Sequence, residues 1–277
     1  MTRTLPNYTG FRIHNDGSLK PIPGSTIELP TPSRSPTQAL IVEGRFLFDA
    51  DFGSFPLPSR VAMWGPDLLE DEPSVIRAIR IEADGKLRDH EPLRPPPDAI
   101  QGGIDADGDG KPDALMFGLQ VHPRERIVYV SYVSAARLGV YAYDDDGRLS
   151  FVRSVPNNGE IICWVLINRD GTRAYTTNNG DDTVSVYDLA DPTLPIEIQT
   201  LHLKGHGHPY QLALDGSERF LHIVKHRTFK ETPVGDGIVL NVLAVRPDGT
   251  LQELGTSPVA LPVRDDLLAR PQGVVAF

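Results

Sequence analysis

The sequence is poor in sulfur and in long apolar runs. Cys163 is the only cysteine among 277 residues, so no intrachain disulfide can form and the redox compartment stays open. No apolar run approaches the roughly 20 residues of a membrane-spanning helix. No secretory signal follows Met1. Basic residues are the scarcer charge, with 27 Lys and Arg against 37 Asp and Glu for a net charge of −10. With no Lys/Arg-rich run to offset that balance, a nucleic-acid partner is not expected. Glycine and proline, by contrast, are plentiful at 25 each. That many turn formers favours an all-β chain over a helical one.

The stretch from Glu160 to Asp188 sets the pattern for the rest. Ile161–Ile167 is a continuous apolar run of strand length, which predicts a strand buried on both faces. Asn168-Arg169-Asp170-Gly171 and Asn178-Asn179-Gly180-Asp181 are turn sequences, because Asn, Asp and Gly accept the backbone angles of a tight reversal. Arg173–Thr177 reads as a second strand, and Thr183–Tyr187 as a third with period-two alternation. The unit is an antiparallel meander whose first strand is expected to be its most buried.

Two marks of this unit alternate along the chain. An apolar strand followed by Asp-Gly and a nearby Leu occurs at Asp16-Gly17, Asp84-Gly85, Asp146-Gly147 and Asp248-Gly249, with a degenerate copy at Asp191-Pro192. A polar turn between two strands occurs around Gly44, at His122–Arg126, and around Gly171 and Gly216. The first mark recurs every 45 to 70 residues or so, against the roughly 40–50 of a four-stranded propeller blade, so some units carry insertions. A lone sheet of this kind cannot bury both faces, and radial packing of blades solves the problem.

The predicted fold is therefore all-β, a single β-propeller domain of four-stranded antiparallel blades over residues 1–277, with about five blade-equivalents. Inserted loops are expected at 53–75 and 94–113, and a polar loop from Lys225 to Asp236. The segment from Asn7 begins in the third strand of a unit, and 270–277 reads as an inner strand with no unit after it. The two ends are expected to complete one blade between them, unless the chain is N-terminally truncated.

Four segments carry a resemblance to a known family: Thr9–Ile22, Cys163–Asn178, Gln211–Leu221 and Gln272–Ala276. The chain resembles the β-propeller lactonases, which include bacterial 6-phosphogluconolactonase and fungal carboxymuconate-lactonising enzymes. Such relatives have seven blades, so this chain would be a piece short by about two, or would close as five. The resemblance implies hydrolysis of a sugar or carboxylate lactone, or the reverse cyclisation, at the mouth of the propeller channel. It implies no organic cofactor.

Aligning the units on their turns places Gln38, Gly118, Trp164, Gln211 and Gln272 at comparable inner-strand starts. Glu160, His206, His208 and Arg270 lie just before those strands. A His, a Glu and an Arg around one channel are similar to the polar sets of the family, which implies roles for them. His208, or Glu160 with a raised pKa, would be the general base. Arg270 would hold the substrate anion or the developing oxyanion. Trp164, Gln211, His206 and Gln272 would contact substrate. The competing readings are that Glu160 caps a loop, Arg270 pairs with Asp265 or Asp266, and Trp164 only packs.

Two further chemistries stay open. His206 and His208, two apart on one strand, could share a face and hold a metal for hydrolysis. Cys163 could be a nucleophile with His208 as its base, although a cysteine inside a strand is more often a small buried hydrophobe. A non-catalytic binding propeller is the alternative to any enzyme.

The sharpest local motif is Asp105-Ala-Asp107-Gly-Asp109-Gly110-Lys111-Pro-Asp113. Carboxylates at loop positions 1, 3, 5 and 9, with the Lys111 carbonyl at position 7, are what a hard cation with oxygen ligands requires. Gly110 permits the sharp turn. Met116 stands where a helical EF-hand has its bidentate Glu, so the loop resembles the calcium loops of β-propeller repeats. Structural calcium is expected there. A truncated N-terminus would favour a periplasmic or secreted setting, and an intact one the cytoplasm.

Overall fold

The two alternating turn types become two alternating hairpins in space. The computed structural model describes residues 5–30, 36–53, 74–103, 105, 110, 112–226, 238–262 and 273–277. Strands β1 (Asn7–Ile13) and β2 (Leu19–Glu28) form a two-stranded sheet. Four larger antiparallel sheets follow in chain order. The first holds β3 (Pro36–Val42), β4 (Phe46–Asp51), β5 (Val75–Ile81) and β6 (Leu87–Asp89). The second holds β7 (Met116–Val121), β8 (Ile127–Tyr132), β9 (Arg137–Tyr143) and β10 (Leu149–Pro156). In the third are β11 (Ile162–Ile167), β12 (Arg173–Asn178), β13 (Thr183–Asp188) and β14 (Ile196–His202). The fourth contains β15 (His208–Leu214), β16 (Phe220–His226), β17 (Val239–Val245) and β18 (Leu251–Glu253), with β19 (Val259–Ala260) also paired to β17. The polar turn joins strands one and two of each sheet, and the Asp-Gly turn joins three and four.

Side-chain chemistry explains the Asp-Gly turns. Oδ1 of Asp16, Asp84, Asp191 and Asp248 accepts the backbone N–H two residues on, at 2.9, 3.1, 2.9 and 2.9 Å. Asp144 does the same for Asp146 and Arg148. Gly17, Gly85, Gly147 and Gly249 then take φ of 82–85°, which costs glycine little. Three of these turns also accept a hydrogen bond from the unit before them. Tyr129 Oη donates to the Pro192 carbonyl (2.8 Å), Tyr175 Oη to Gly249 (3.2 Å) and Ser25 Oγ to Gly85 (2.8 Å).

The core lies between sheets. Val128 and Val130 of β8 face the preceding sheet with Phe46, Phe48 and Ile76, whereas Ile127 and Tyr129 face the following sheet with Val165 and Ala174. Alternate residues of one strand thus enter two interfaces. A third cluster, with Tyr175, Val186, Leu212, Ile223 and Leu243, joins the last two large sheets. Tyr8, Leu29 and Ile79 seat the β1–β2 hairpin.

This arrangement corrects three expectations. The second and third strands, β12 and β13, are more fully buried than β11, because they lie between neighbouring sheets while an inner strand gives part of its surface to the axis. Lys225 and His226 belong to β16 and are buried, so the polar loop starts later than the sequence suggested. Among the described residues the two ends do not share a sheet: β1 pairs with β2 alone, and 273–277 runs beside β15 without strand assignment. The 53–75 insertion falls almost wholly outside the described residues.

Candidate active site at the inner-strand ends

Every inner strand is bulged at the same place. The pairing register shifts between Pro36 and Gln38, Met116 and Leu119, Ile162 and Val165, and Pro209 and Leu212. The bulge turns a backbone carbonyl toward the preceding sheet. The carbonyls of Phe117, Cys163 and Tyr210 accept from the hydroxyls of Thr37 (2.7 Å), Ser131 (2.5 Å) and Thr177 (2.6 Å). One residue on, Oε1 of Gln38 accepts the Leu119 N–H at 2.8 Å and Oε1 of Gln211 accepts the Val274 N–H at 2.9 Å. The structure thus matches Gln38, Gly118, Trp164 and Gln211 to one another. The fifth equivalent is Gly273, one residue beyond Gln272, because Val274 takes the place of Leu119. Gln211 spends its amide oxygen on this backbone contact. Gln272 itself, like Arg270, lies outside the described residues.

The bulges bring three aromatic rings together. Phe117, Trp164 and Tyr210 meet steeply, with centroids 5.5 Å (Phe117–Trp164), 5.9 Å (Phe117–Tyr210) and 5.6 Å (Trp164–Tyr210) apart. His226 lies over Tyr210 at 4.3 Å. Trp164 therefore packs within an aromatic floor, its indole N–H buried beside Tyr210. Burial pushes the Tyr210 hydroxyl up to about 12, with Cys163 adding to the effect and the Trp164 side chain opposing it. Burial alone pushes the Cys163 thiol up to about 12. Buried and with its thiol held protonated, Cys163 fits the small buried hydrophobe and not the nucleophile.

Beside this floor stand the polar groups. His208 opens β15, its side chain mostly buried, with Nδ1 3.0 Å from the Asn179 carbonyl and 3.8 Å from Asp182 Oδ1. A carbonyl can only accept, so Nδ1 is the donor in this contact. Lys225 is fully buried, with Nζ 2.9 Å from the Gly205 carbonyl and 3.4 Å from the same Asp182 oxygen. Burial pulls its ammonium below the ordinary lysine range, and Asp182 resists that pull. Glu160 is exposed and flanks the same turn, its backbone carbonyl accepting the Gly180 N–H at 2.9 Å. The turn Asn178–Asp182 thus gathers Glu160, His208 and Lys225.

His206 is not part of this group. It is exposed in the connector before β15, between Gly205 (φ 80°) and Gly207 (φ 90°). Two left-handed residues break the extended alternation, so His206 and His208 do not share a strand face and the paired-imidazole metal site is not formed. In the acidic loop, Asp105 Oδ2 accepts the Gly110 N–H at 3.0 Å and Gly110 has φ 85°. Asp113 is buried at the loop's end. Asp107, Asp109 and Lys111 lie outside the described residues.

Sequence reasoning missed Asp182, Lys225, Tyr210 and Phe117. One signal was present: Leu221-His-Ile-Val-Lys-His226 is an apolar strand that ends in two basic side chains, and a lysine inside a strand needs a partner.

Comparison with known structures now bears on the fold. A candidate 6-phosphogluconolactonase of Bacteroides fragilis superposes with a TM-score of 0.67 at 15% identity, covering 93% of this chain and 65% of its own. The periplasmic gluconolactonase of Pseudomonas aeruginosa gives 0.67 at 20% identity, covering 91% of this chain and 64% of its own. A candidate 6-phosphogluconolactonase of Bacteroides uniformis gives 0.68 at 14% identity, covering 95% and 67%. The fold is a β-propeller. The blades described above are its sheets, and the chain spans about two thirds of the length of these propellers. No protein-family model matches the sequence, and no curated protein does. No helix among the described residues is long and apolar enough to cross a membrane.

Proposed function

We propose that the protein hydrolyses a small-molecule lactone at the inner-strand ends, with His208 as general base. The observation that carries this reading is the contact that orients the His208 ring at the inner-strand ends. With Nδ1 held by the Asn179 carbonyl (3.0 Å), the proposed base is Nε2, which takes a proton from water. The hydroxide equivalent adds to the lactone carbonyl, the ring C–O bond breaks, and the leaving alkoxide regains the proton from His208 to give the hydroxy acid. The lactonase-type propellers with the same fold support the choice of substrate class. Arg270 is proposed to bind the substrate carboxylate or phosphate, or the oxyanion. Glu160, at the rim of the same turn, is proposed as a second polar contact.

The test is proton release from a panel of five- and six-membered sugar lactones, with wild type, His208→Gln and Arg270→Ala in parallel. Turnover lost in both variants, with melting unchanged, is the expected result. A folded wild type that binds lactones or sugar acids without turnover would make the protein a binding module.

We also propose structural calcium at 105–113. The carboxylate of Asp105 folded onto Gly110 N–H fits a loop closing around a hard cation. Asp107→Ala and Asp109→Ala should lower the melting temperature only when calcium is present. Equal wild-type melts in calcium and in EDTA would remove the proposal. Calcium supply and the Pseudomonas neighbour both support a periplasmic setting.

A further inference from the structure

Lys225 is the one lysine side chain fully buried among the described residues. A buried ammonium is costly unless paired and hydrogen-bonded, and its two partners belong to two different loops at the inner-strand ends. The Asp182 carboxylate comes from the β12–β13 turn, and the Gly205 carbonyl from the β14–β15 connector. That connector is braced further by Asn241 Nδ2 on the Lys204 carbonyl (3.0 Å), Glu253 Oε2 on the Lys204 N–H (2.9 Å) and the Asp182 carbonyl on the Leu203 N–H (2.9 Å). Asp182 has φ 59°, a left-handed backbone that is strained for a residue with a side chain and tends to persist where function requires it.

One oxygen of that carboxylate serves both neighbours. Asp182 Oδ1 is buried at ion-pair range from Lys225 Nζ (3.4 Å) and from His208 Nδ1 (3.8 Å). An anion at the Nδ1 edge stabilises the imidazolium that forms when Nε2 takes a proton. A buried cation on the far side of that anion weakens the effect.

We propose that Asp182 and Lys225 are a positioning pair for His208: Asp182 orients the ring and stabilises its charged form, and Lys225 sets how much of that negative charge the ring feels. The proposal rests on the reading of His208 as general base. It differs from a purely structural ion pair in one respect. Removing the two members must move the protonation of His208 in opposite directions.

The other ionisable groups of the neighbouring elements are Asp181 of the same turn, Glu160 ahead of β11, His226, which pairs with His208 across β15 and β16, and Glu253 of β18, which acts on Lys225, and none of them is altered by the variants. The experiment follows the His208 ring resonance by NMR against pH, assigned by its loss in His208→Gln, in wild type, Asp182→Asn, Lys225→Met and Lys225→Arg. Asp182→Asn should titrate about one pH unit lower than wild type and Lys225→Met about one unit higher. Lys225→Arg keeps the charge and should restore the wild-type midpoint even if it melts earlier. The acid limb of kcat/KM should follow the same order, with kcat falling more than KM rises in Asp182→Asn.

Shifts in the same direction, or none in variants that melt cooperatively, overturn the pair. Should Lys225→Met not fold, an unmoved midpoint in Asp182→Asn alone overturns it. Opposite ring shifts without lactone turnover would keep the pair and remove the lactonase reading. Turnover that depends on His208 without such shifts would do the reverse.

Discussion

The two rims of the propeller are built on different rules. On the rim of Asp-Gly turns, short loops satisfy themselves: an aspartate caps its own turn, a glycine takes the left-handed residue, and the preceding blade donates a hydrogen bond. The carboxylates of Asp16, Asp84, Asp191 and Asp248 are exposed, and the hydroxyl or ammonium two residues on, with the backbone N–H, holds each below its ordinary range. In the strands that run up to the inner-strand rim, charge is buried instead. Lys225, Asp49 and Arg77 are almost wholly inside. Asp49 accepts from Tyr8 Oη at 2.6 Å, and Arg77 Nε lies 3.4 Å from Asp51. The first rim closes each turn within a few residues before a neighbouring unit touches it; the buried charges rely wholly on other strands and loops.

That difference can be broken at the bulges, where the largest effect is expected. A Cβ at Gly118 would overlap the Cys163 carbonyl and press on the Trp164 and Val165 backbone. Backbone cannot yield as a side chain tip can, so Gly118→Val should destabilise by about 3 kcal/mol, read as a lower urea midpoint. The same substitution at Gly44 meets no neighbouring atom and should lose far less, its residual cost being the left-handed backbone.

A smaller loss is expected at the hydroxyl bridges. Thr177→Val strands the Tyr210 carbonyl and removes the acceptor of the Trp164 N–H, at about 1–2 kcal/mol. A denaturant melt unchanged by that substitution would show the bridges to be incidental.

The finest comparison is in pH dependence. Asp215, in an inner-hairpin turn on the first rim, is lowered to about 2 by the Ser217 hydroxyl and the Phe220 N–H. Its stabilisation is complete above the ordinary carboxylate pKa of about 4 and is lost as pH falls toward 2. Asp49 has the opposite sign. Burial raises it well above the usual range, against the Tyr8 hydrogen bond, so its contribution is complete at low pH and fades as pH rises. Asp215→Asn should therefore flatten the acid side of a melting-temperature profile. Asp49→Asn should gain on wild type as pH rises. Profiles that move together would erase the distinction between the rims.

What was legible in the sequence follows the same division. Asp-Gly and polar turns with period-two strands between them are local signals, and they placed the Ile162–Ile167, Arg173–Asn178 and Thr183–Asp188 strands to within a residue. The equivalence of Gln38, Gly118, Trp164 and Gln211 was legible because each follows from its distance to a turn. Gln272 slipped by one because no turn follows it to fix the register. His208 and Glu160 were placed beside one turn only by tertiary structure, and Asp182 and Lys225 were not suspected. Lys225 looked like the start of a polar loop, since burial of a lysine depends on a carboxylate 43 positions away that pairing in space brings near.

By itself, then, the sequence determined strands, turns and the repeat, because those depend on φ, ψ and side-chain alternation within a few residues. Only the tertiary structure decided which polar groups are buried together at the inner-strand ends. Radial packing sets those distances, and the stretch of chain between the groups leaves them unspecified.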